Sequence, residues 1–187
     1  MIDADVAAVI DEVEAFQKSR SDAWNVPREE GMILYAVAVL GGCRRIAEVG
    51  TSYGFSGLFL GAGARANGGR LDTFDINPDK HRYAAVHFRK AGLFDVVVLH
   101  TGDAAQGLDA LEPGVDFAFL DATKSETLDY WRTLEPKLAP RCVIAVDNTA
   151  THSDVLAPFL DMLRTRGDFA CCDIPVEHGL ELAVRAG

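Results

Sequence analysis

The 187-residue sequence has no Cys-x-x-Cys pair, no zinc-like spacing of cysteine and histidine, no apolar run of membrane-spanning length and no excess of basic residues. Each absence closes off a class. Of the four cysteines, Cys142 and the Cys171/Cys172 pair sit inside apolar runs and Cys43 stands alone. In such runs free cysteine behaves as a small hydrophobe, so neither disulfides nor a zinc site are expected. Eighteen lysines and arginines against 28 aspartates and glutamates leave a formal net charge of −10. No broad basic face remains to neutralise phosphates or attract an anionic bilayer, and neither nucleic acid nor a membrane is expected as a partner. The first twenty residues, MIDADVAAVIDEVEAFQKSR, are acidic and amphipathic, without the basic start and continuous apolar stretch of a signal peptide. A cytoplasmic enzyme or binding protein is expected. A dinucleotide fingerprint is also missing: counting from Gly50, the second glycine position of G-x-G-x-x-G holds Ser52 and the third holds Phe55.

What is present is alternation. With 49% hydrophobic and 25% charged residues, the composition suits a single folded domain. Short apolar runs fall at 45–49, 71–76, 96–100, 115–120 and 142–146, separated by segments of helical spacing such as 78–91 and 125–138. This βαβ pattern predicts a mostly parallel sheet covered on both faces. Pro78 suits the first turn of a helix and Gly92 the end of one. After a helical segment at 154–166, two further runs, 169–174 and 180–185, are joined by a turn too short for a parallel crossover, so they must be antiparallel. Residues 1–44 are expected to form N-terminal helices and 45–187 a Rossmann-like core, all in one domain.

The chemistry-bearing residues cluster at predicted strand ends. The stretch IAEVGTSYGFSG at 46–57 leaves a strand with Glu48, turns through Gly50 and Gly54, and enters a helix. Glycine accepts positive φ and lets a ligand approach the backbone, which makes this turn a nucleotide or cofactor site. Asp75 ends the next strand, where a carboxylate can accept from both hydroxyls of a ribose; the pair favours an adenosine-like ligand. Asp121 closes VDFAFLD, and Asp147 with Asn148 closes CVIAVDN. Two carboxylates and an amide form a hard-oxygen set suited to Mg²⁺, Mn²⁺ or Ca²⁺ rather than zinc. His152 is read as a solvated loop residue, His178 as structural, and Tyr130 with Trp131 as the packed face of a helix.

EVGTSYGFS at 48–56, FDIN around Asp75, GDA at 102–104, FLDATK at 119–124 and VDN at 146–148, in this order, resemble the small class I S-adenosylmethionine-dependent O-methyltransferases typified by catechol and caffeoyl-CoA O-methyltransferases. The likeness runs from about Pro27 to the end, including PVEHGLELAVR. It implies a three-layer α/β/α fold with a seven-stranded sheet ending in an antiparallel hairpin. It further implies S-adenosylmethionine as cofactor, bordered by Glu48, Gly50, Thr51, Tyr53, Gly54, Ser56, Asp75, Asn77, Asp103, Ala104 and Asp121. Asp121, Asp147 and Asn148 match the family's divalent-metal ligands, with Mg²⁺ the first choice, and Lys124 matches its general base.

The expected reaction is direct methyl transfer to a hydroxyl of a small, catechol-like acceptor, by a homodimer. Two other readings stay open: a metal-independent methyltransferase acting on another nucleophile such as an amine, and a non-catalytic cofactor-binding module. The acceptor itself is not legible, because THSDVLAPF leads almost at once from the Asp147-Asn148 pair into a helix, where the family carries a longer loop.

Overall fold

In the computed structural model, which describes residues 2–187, the alternating runs become seven strands: β1 (Arg45–Val49), β2 (Arg70–Asp75), β3 (Val97–Thr101), β4 (Val115–Leu120), β5 (Leu138–Asp147), β6 (Ala170–Ile174) and β7 (Leu180–Ala186). Between and before them lie α1 (Ala4–Gln17), α2 (Arg28–Leu40), α3 (Phe55–Ala66), α4 (Pro78–Lys90), α5 (Ala104–Asp109), α6 (Thr127–Leu134) and α7 (Ser153–Thr165). The sheet order is β3-β2-β1-β4-β5-β7-β6. β1 to β5 run parallel, while β7 is antiparallel to both β5 and β6. This is the Rossmann-like architecture expected from the spacing and the family resemblance. Among the described residues, no helix is long and apolar enough to cross a membrane.

Two local expectations are corrected. The helix anticipated over 125–138 is broken into a 3₁₀ turn (Lys124–Glu126), α6 and a second 3₁₀ turn (Glu135–Lys137). Pro136 explains the early stop, since it cannot donate to the helical ladder and its ring crowds the preceding turn. The freed residues join β5, which therefore starts at Leu138 rather than at 142. The six-residue α5 is too short to show a periodicity and was not anticipated.

The central strands are buried on both sides, so β4 reads as a continuous apolar run rather than an alternation. Phe117 and Phe119 point to a core shared with α1, α2 and α3, where Ile10, Leu34 and Phe59 pack. Ala118 and Leu120 point to the opposite core, formed with Trp131, Leu156 and Phe159. Each fully buried side chain of this size contributes roughly 1.5–3 kcal/mol. A Cβ on Gly31 would stand 2.5 Å from the Phe59 ring, so the first turn of α2 presses against α3 and its neighbour Glu30 is fixed beneath the carboxyl ends of the strands.

Candidate functional site

The order of the sheet reverses between β1 and β4, and at such a switch point the loops after neighbouring strands diverge and leave a crevice. Here the crevice is a cleft of about 1130 Å³. One end is lined by Asp75, Ile76, Asn77, Gly102, Asp103 and Ala104; the other by Asp121, Lys124, Asp147, Asn148, His152 and His178. Its volume exceeds what a single drug-sized ligand needs.

The first end is built from backbone and from side chains already engaged. Gly50 has φ +115°, and a Cβ there would lie 2.3 Å from the Asp121 carbonyl oxygen, so the turn after β1 touches the end of β4. Ser52 adopts φ +47°, uncommon for a residue with a side chain. That conformation aims its N–H at Asp75 Oδ2 (2.7 Å), while the Asn77 N–H donates to Asp75 Oδ1 (2.8 Å). Each Asp75 oxygen keeps further acceptor capacity. The Asn77 side chain caps α4, accepting from the N–H groups of Asp79 and Lys80. Asp103 caps α5 by accepting from Gln106. Both side chains are thus committed to helix starts. Gly102, at φ +133°, offers bare backbone with open space where a Cβ would stand.

Five residues of the anticipated cofactor set, Glu48, Thr51, Tyr53, Gly54 and Ser56, do not line the cleft. The structure gives the four side chains other partners. Glu48 is fully buried and accepts from Ser56 Oγ and Thr73 Oγ1, each at 2.5 Å. Burial pushes its carboxyl up to about 7, with the two hydroxyls opposing and the Asp121 and Asp75 charges adding. Thr51 bonds to Thr73 and His81. Tyr53 packs edge-on against Phe16 and donates to Asp22, tying the loop before α2 to the turn after β1.

The second end is a crowd of acids. Lys124 sits on the 3₁₀ turn after β4, and its Nζ donates to Asp121 Oδ1 at 2.6 Å, with both side chains largely buried. Asp147 is 2% exposed and accepts from the Asn148 N–H. Asn148 itself sits at φ +67°, a second left-handed residue bearing a side chain. Glu30, reaching up from α2, is fully buried, and no protein group donates to either of its carboxylate oxygens. Were it protonated, its hydroxyl would have Asp147 within hydrogen-bonding reach. Burial and the Asp147 and Asp121 charges push the Glu30 carboxyl well above the usual range. Asp121 and Asp147 are pushed up by burial too, against the lowering charge of Lys124. Among the described residues, no group of three or more histidine, cysteine, aspartate or glutamate side chains is arranged to hold a metal ion.

The cleft therefore brings together Gly50, Asp75, Asn77, Asp103, Ala104, Asp121, Lys124, Asp147 and Asn148. It also contains residues that sequence reasoning passed over. His152, His178 and Tyr130, read as solvated, structural and core, all border it. Glu30 was missed altogether, and Ser52, though inside EVGTSYGFS, was given no role. The acidic first turn of α2 carries no signal that Glu30 is buried, and a positive φ at Ser52 leaves no mark in the composition. Trp24 and Lys80 line the cleft without having stood in any recognised pattern, and Ile76 lines it from within FDIN.

Comparison with known proteins places this geometry. A family profile described as a methyltransferase domain matches residues 47–149. The catechol O-methyltransferase of Mycobacterium tuberculosis is 35% identical over 146 residues, covering 73% of this chain and 64% of that protein. Caffeoyl-CoA O-methyltransferase 3 of Nicotiana tabacum is 31% identical over 189 residues, covering 87% of this chain and 78% of that protein. The solved structure of the O-methyltransferase TomG from Streptomyces achromogenes, in complex with SAM, superposes with a TM-score of 0.84 at 25% identity, covering 99% of this chain and 91% of that one. The match takes in the end of β1, the glycine turn, Asp75 and both strand-end acids of the far half, and the chain belongs to the methyltransferase domain family.

Proposed function

We propose that the protein is an S-adenosylmethionine-dependent O-methyltransferase acting, with a divalent cation, on a small aromatic acceptor bearing adjacent hydroxyls. The observation that carries this reading is the placement of Lys124, Asp121, Asp147 and Asn148 at one end of a single cleft whose other end is Asp75 and a run of accessible backbone. The relatives named for catechol and caffeoyl-CoA methylation support the hydroxyl acceptor.

The residues fit both groups. For the cofactor, Gly50, Gly102 and the Asp75 carboxylate form a cradle in which added Cβ atoms would strike protein or fill ligand space. When bound, it supplies an electrophilic sulfonium methyl. For the cation, the donors are oxygen-only, and the Glu30 carboxyl stands buried beside Asp147 with no protein donor to either oxygen. Asp121, Asp147 and Asn148 would hold the ion, which supplies acidification and orientation of an acceptor hydroxyl. The chain's own residues do the rest. Asp75 would accept from the ribose hydroxyls through its free lone pairs, Ile76 and Ala104 would border the adenine, and Lys124 Nζ, as the free amine, would take the acceptor proton beside Asp121. Orientation of an oxygen in line with the methyl is the larger part of the rate.

One observation favours a second reading. Lys124 already supplies a cation to Asp121, which is how a metal-independent enzyme would balance the site. A methyl-transfer screen over catechols, other phenols and amines, each with Mg²⁺ and with chelator, separates the two. Transfer to catechols that needs Mg²⁺ supports the first reading, transfer to amines in chelator supports the second, and no transfer to any of them contradicts both.

A further inference from the structure

A continuous file of polar side chains runs behind the cofactor end of the cleft. From the buried Glu48 carboxyl it passes through Thr73 Oγ1 (2.5 Å) and Thr51 Oγ1 (2.6 Å) to His81 Nε2 (2.9 Å), and His81 Nδ1 then meets Thr101 Oγ1 (2.6 Å). His81 stands on the first turn of α4, is 4% exposed and does not line the cleft. Both of its partners lie one residue before backbone that does. Thr51 precedes Ser52, whose N–H donates to Asp75 Oδ2, and Thr101 precedes Gly102, whose N–H donates to the Asp75 carbonyl oxygen at 3.0 Å. Because β2 lies between β1 and β3 in the sheet, one imidazole spans the two loops that flank Asp75.

The hydrogens along this file can be counted. With Glu48 ionised, Thr73 gives its one hydroxyl hydrogen to the carboxylate and Thr51 gives its own to Thr73, so His81 must donate from Nε2. Burial pulls the imidazole below its ordinary range, with Asp75 opposing and His100 adding. The ring is therefore neutral, and its bare Nδ1 accepts from the Thr101 hydroxyl.

We propose that His81 is a positioning residue for the cofactor, setting the gap between Ser52 and Gly102 in which the adenosine part is held. The idea rests on the cofactor reading above and adds a residue that acts without touching the ligand. Walls fixed before binding lose less freedom when the ligand arrives, so the bridge appears as affinity.

The test is calorimetric titration of the full chain with the demethylated cofactor at pH 9, above the Glu48 value of about 7. His81→Phe keeps a ring without hydrogen-bonding nitrogens and should weaken binding about tenfold. His81→Gln brings an amide N–H near the Nε2 position, keeps the bond to Thr51, and should hold affinity within about threefold of wild type. Thr101→Val, at an exposed strand end, opens the other side of the bridge. It should weaken binding about three- to fivefold, whether or not the phenylalanine variant folds. In the wild type carrying ¹⁵N-labelled histidine, the ring signals that vanish in His81→Gln should show a protonated Nε2 and a bare Nδ1. Wild-type affinity retained in His81→Phe or in Thr101→Val overturns the positioning role while leaving the function reading intact. Equal losses in His81→Phe and His81→Gln also overturn it, because a general disturbance of the site ignores the amide. A bare Nε2 at pH 9 contradicts the order of donors and with it the bridge. A wild type that does not bind the demethylated cofactor removes both readings together.

Discussion

The two ends of the cleft are built on opposite principles. At the ends of β1, β2 and β3, every acidic or amide side chain has its partners within the protein: Asp75 takes two backbone N–H groups, Asn77 and Asp103 cap helices, and Glu48 is closed off by two hydroxyls. At the ends of β4 and β5, Asp121, Asp147 and Glu30 crowd together with one lysine among them, and Glu30 has no donor. The first end is a finished cradle that needs only a ligand of the right shape. The second is electrostatically incomplete, and a buried group left without compensation is costly. On the proposed function, binding and chemistry fall to different halves of one site.

The largest effect expected from breaking this division is on the acid end. Lys124→Ala should lower kcat by roughly 10²–10⁴-fold, the range for loss of a general base, with partial recovery at higher pH as the acceptor ionises unaided. Cofactor affinity should stay within a few-fold, and normal turnover in the variant would remove Lys124 from the chemistry. The complementary break is Asp75→Ala, which removes hydrogen bonds to a charged group and should weaken cofactor binding by about 1.5–3 kcal/mol, roughly 10- to 150-fold, in titration calorimetry. An unchanged affinity would place the ribose elsewhere.

A smaller effect sharpens the contrast without mutation. Mg²⁺ at a hundredfold excess over its dissociation constant should stabilise the ligand-free protein by about 2.7 kcal/mol, seen as a rise in Tm that chelator reverses. A Tm indifferent to Mg²⁺ would mean that the acids are balanced internally. An effect of similar size lies at the cradle. The Glu48 carboxyl is pushed up to about 7 by burial, against an ordinary value of 4.5 in the unfolded chain. Between those values the folded chain keeps a proton that the unfolded chain has lost, so this group's contribution to stability falls as pH rises through the window. Glu48→Gln removes the titration, and its Tm relative to wild type should climb by about 5–10 °C between pH 5 and pH 8. A constant difference would mean that Glu48 is ionised throughout.

Much of this contrast was legible in the sequence because strand ends write themselves as an apolar run closed by an acid. Asp75, Asp121 and Asp147 stand out on that pattern, and the parallel order of β1 to β5 comes from the lengths between runs. The role of a side chain at such an end is harder to read, since it depends on the backbone one turn away. Asn77 precedes Pro78 and so becomes a helix cap, and Glu48 faces inward because Ser56 and Thr73 meet it there. Glu30 was illegible for a different reason: its burial comes from the packing of Gly31 on Phe59, a contact between helices that no local pattern encodes. The break at Pro136 could have been anticipated from proline's missing donor; the resulting length of β5 was hidden by Pro140 and Arg141, both exposed, which interrupt the apolar run.

The division of labour is tested most directly by calorimetric titration of the wild-type protein, first with the demethylated cofactor and then with catechol, each in Mg²⁺ and in chelator. Cofactor affinity is expected to be the same within about twofold in both buffers, and heat from catechol is expected only when Mg²⁺ is present. Catechol binding of equal strength in chelator, or cofactor binding lost with the metal, would contradict a site divided in this way.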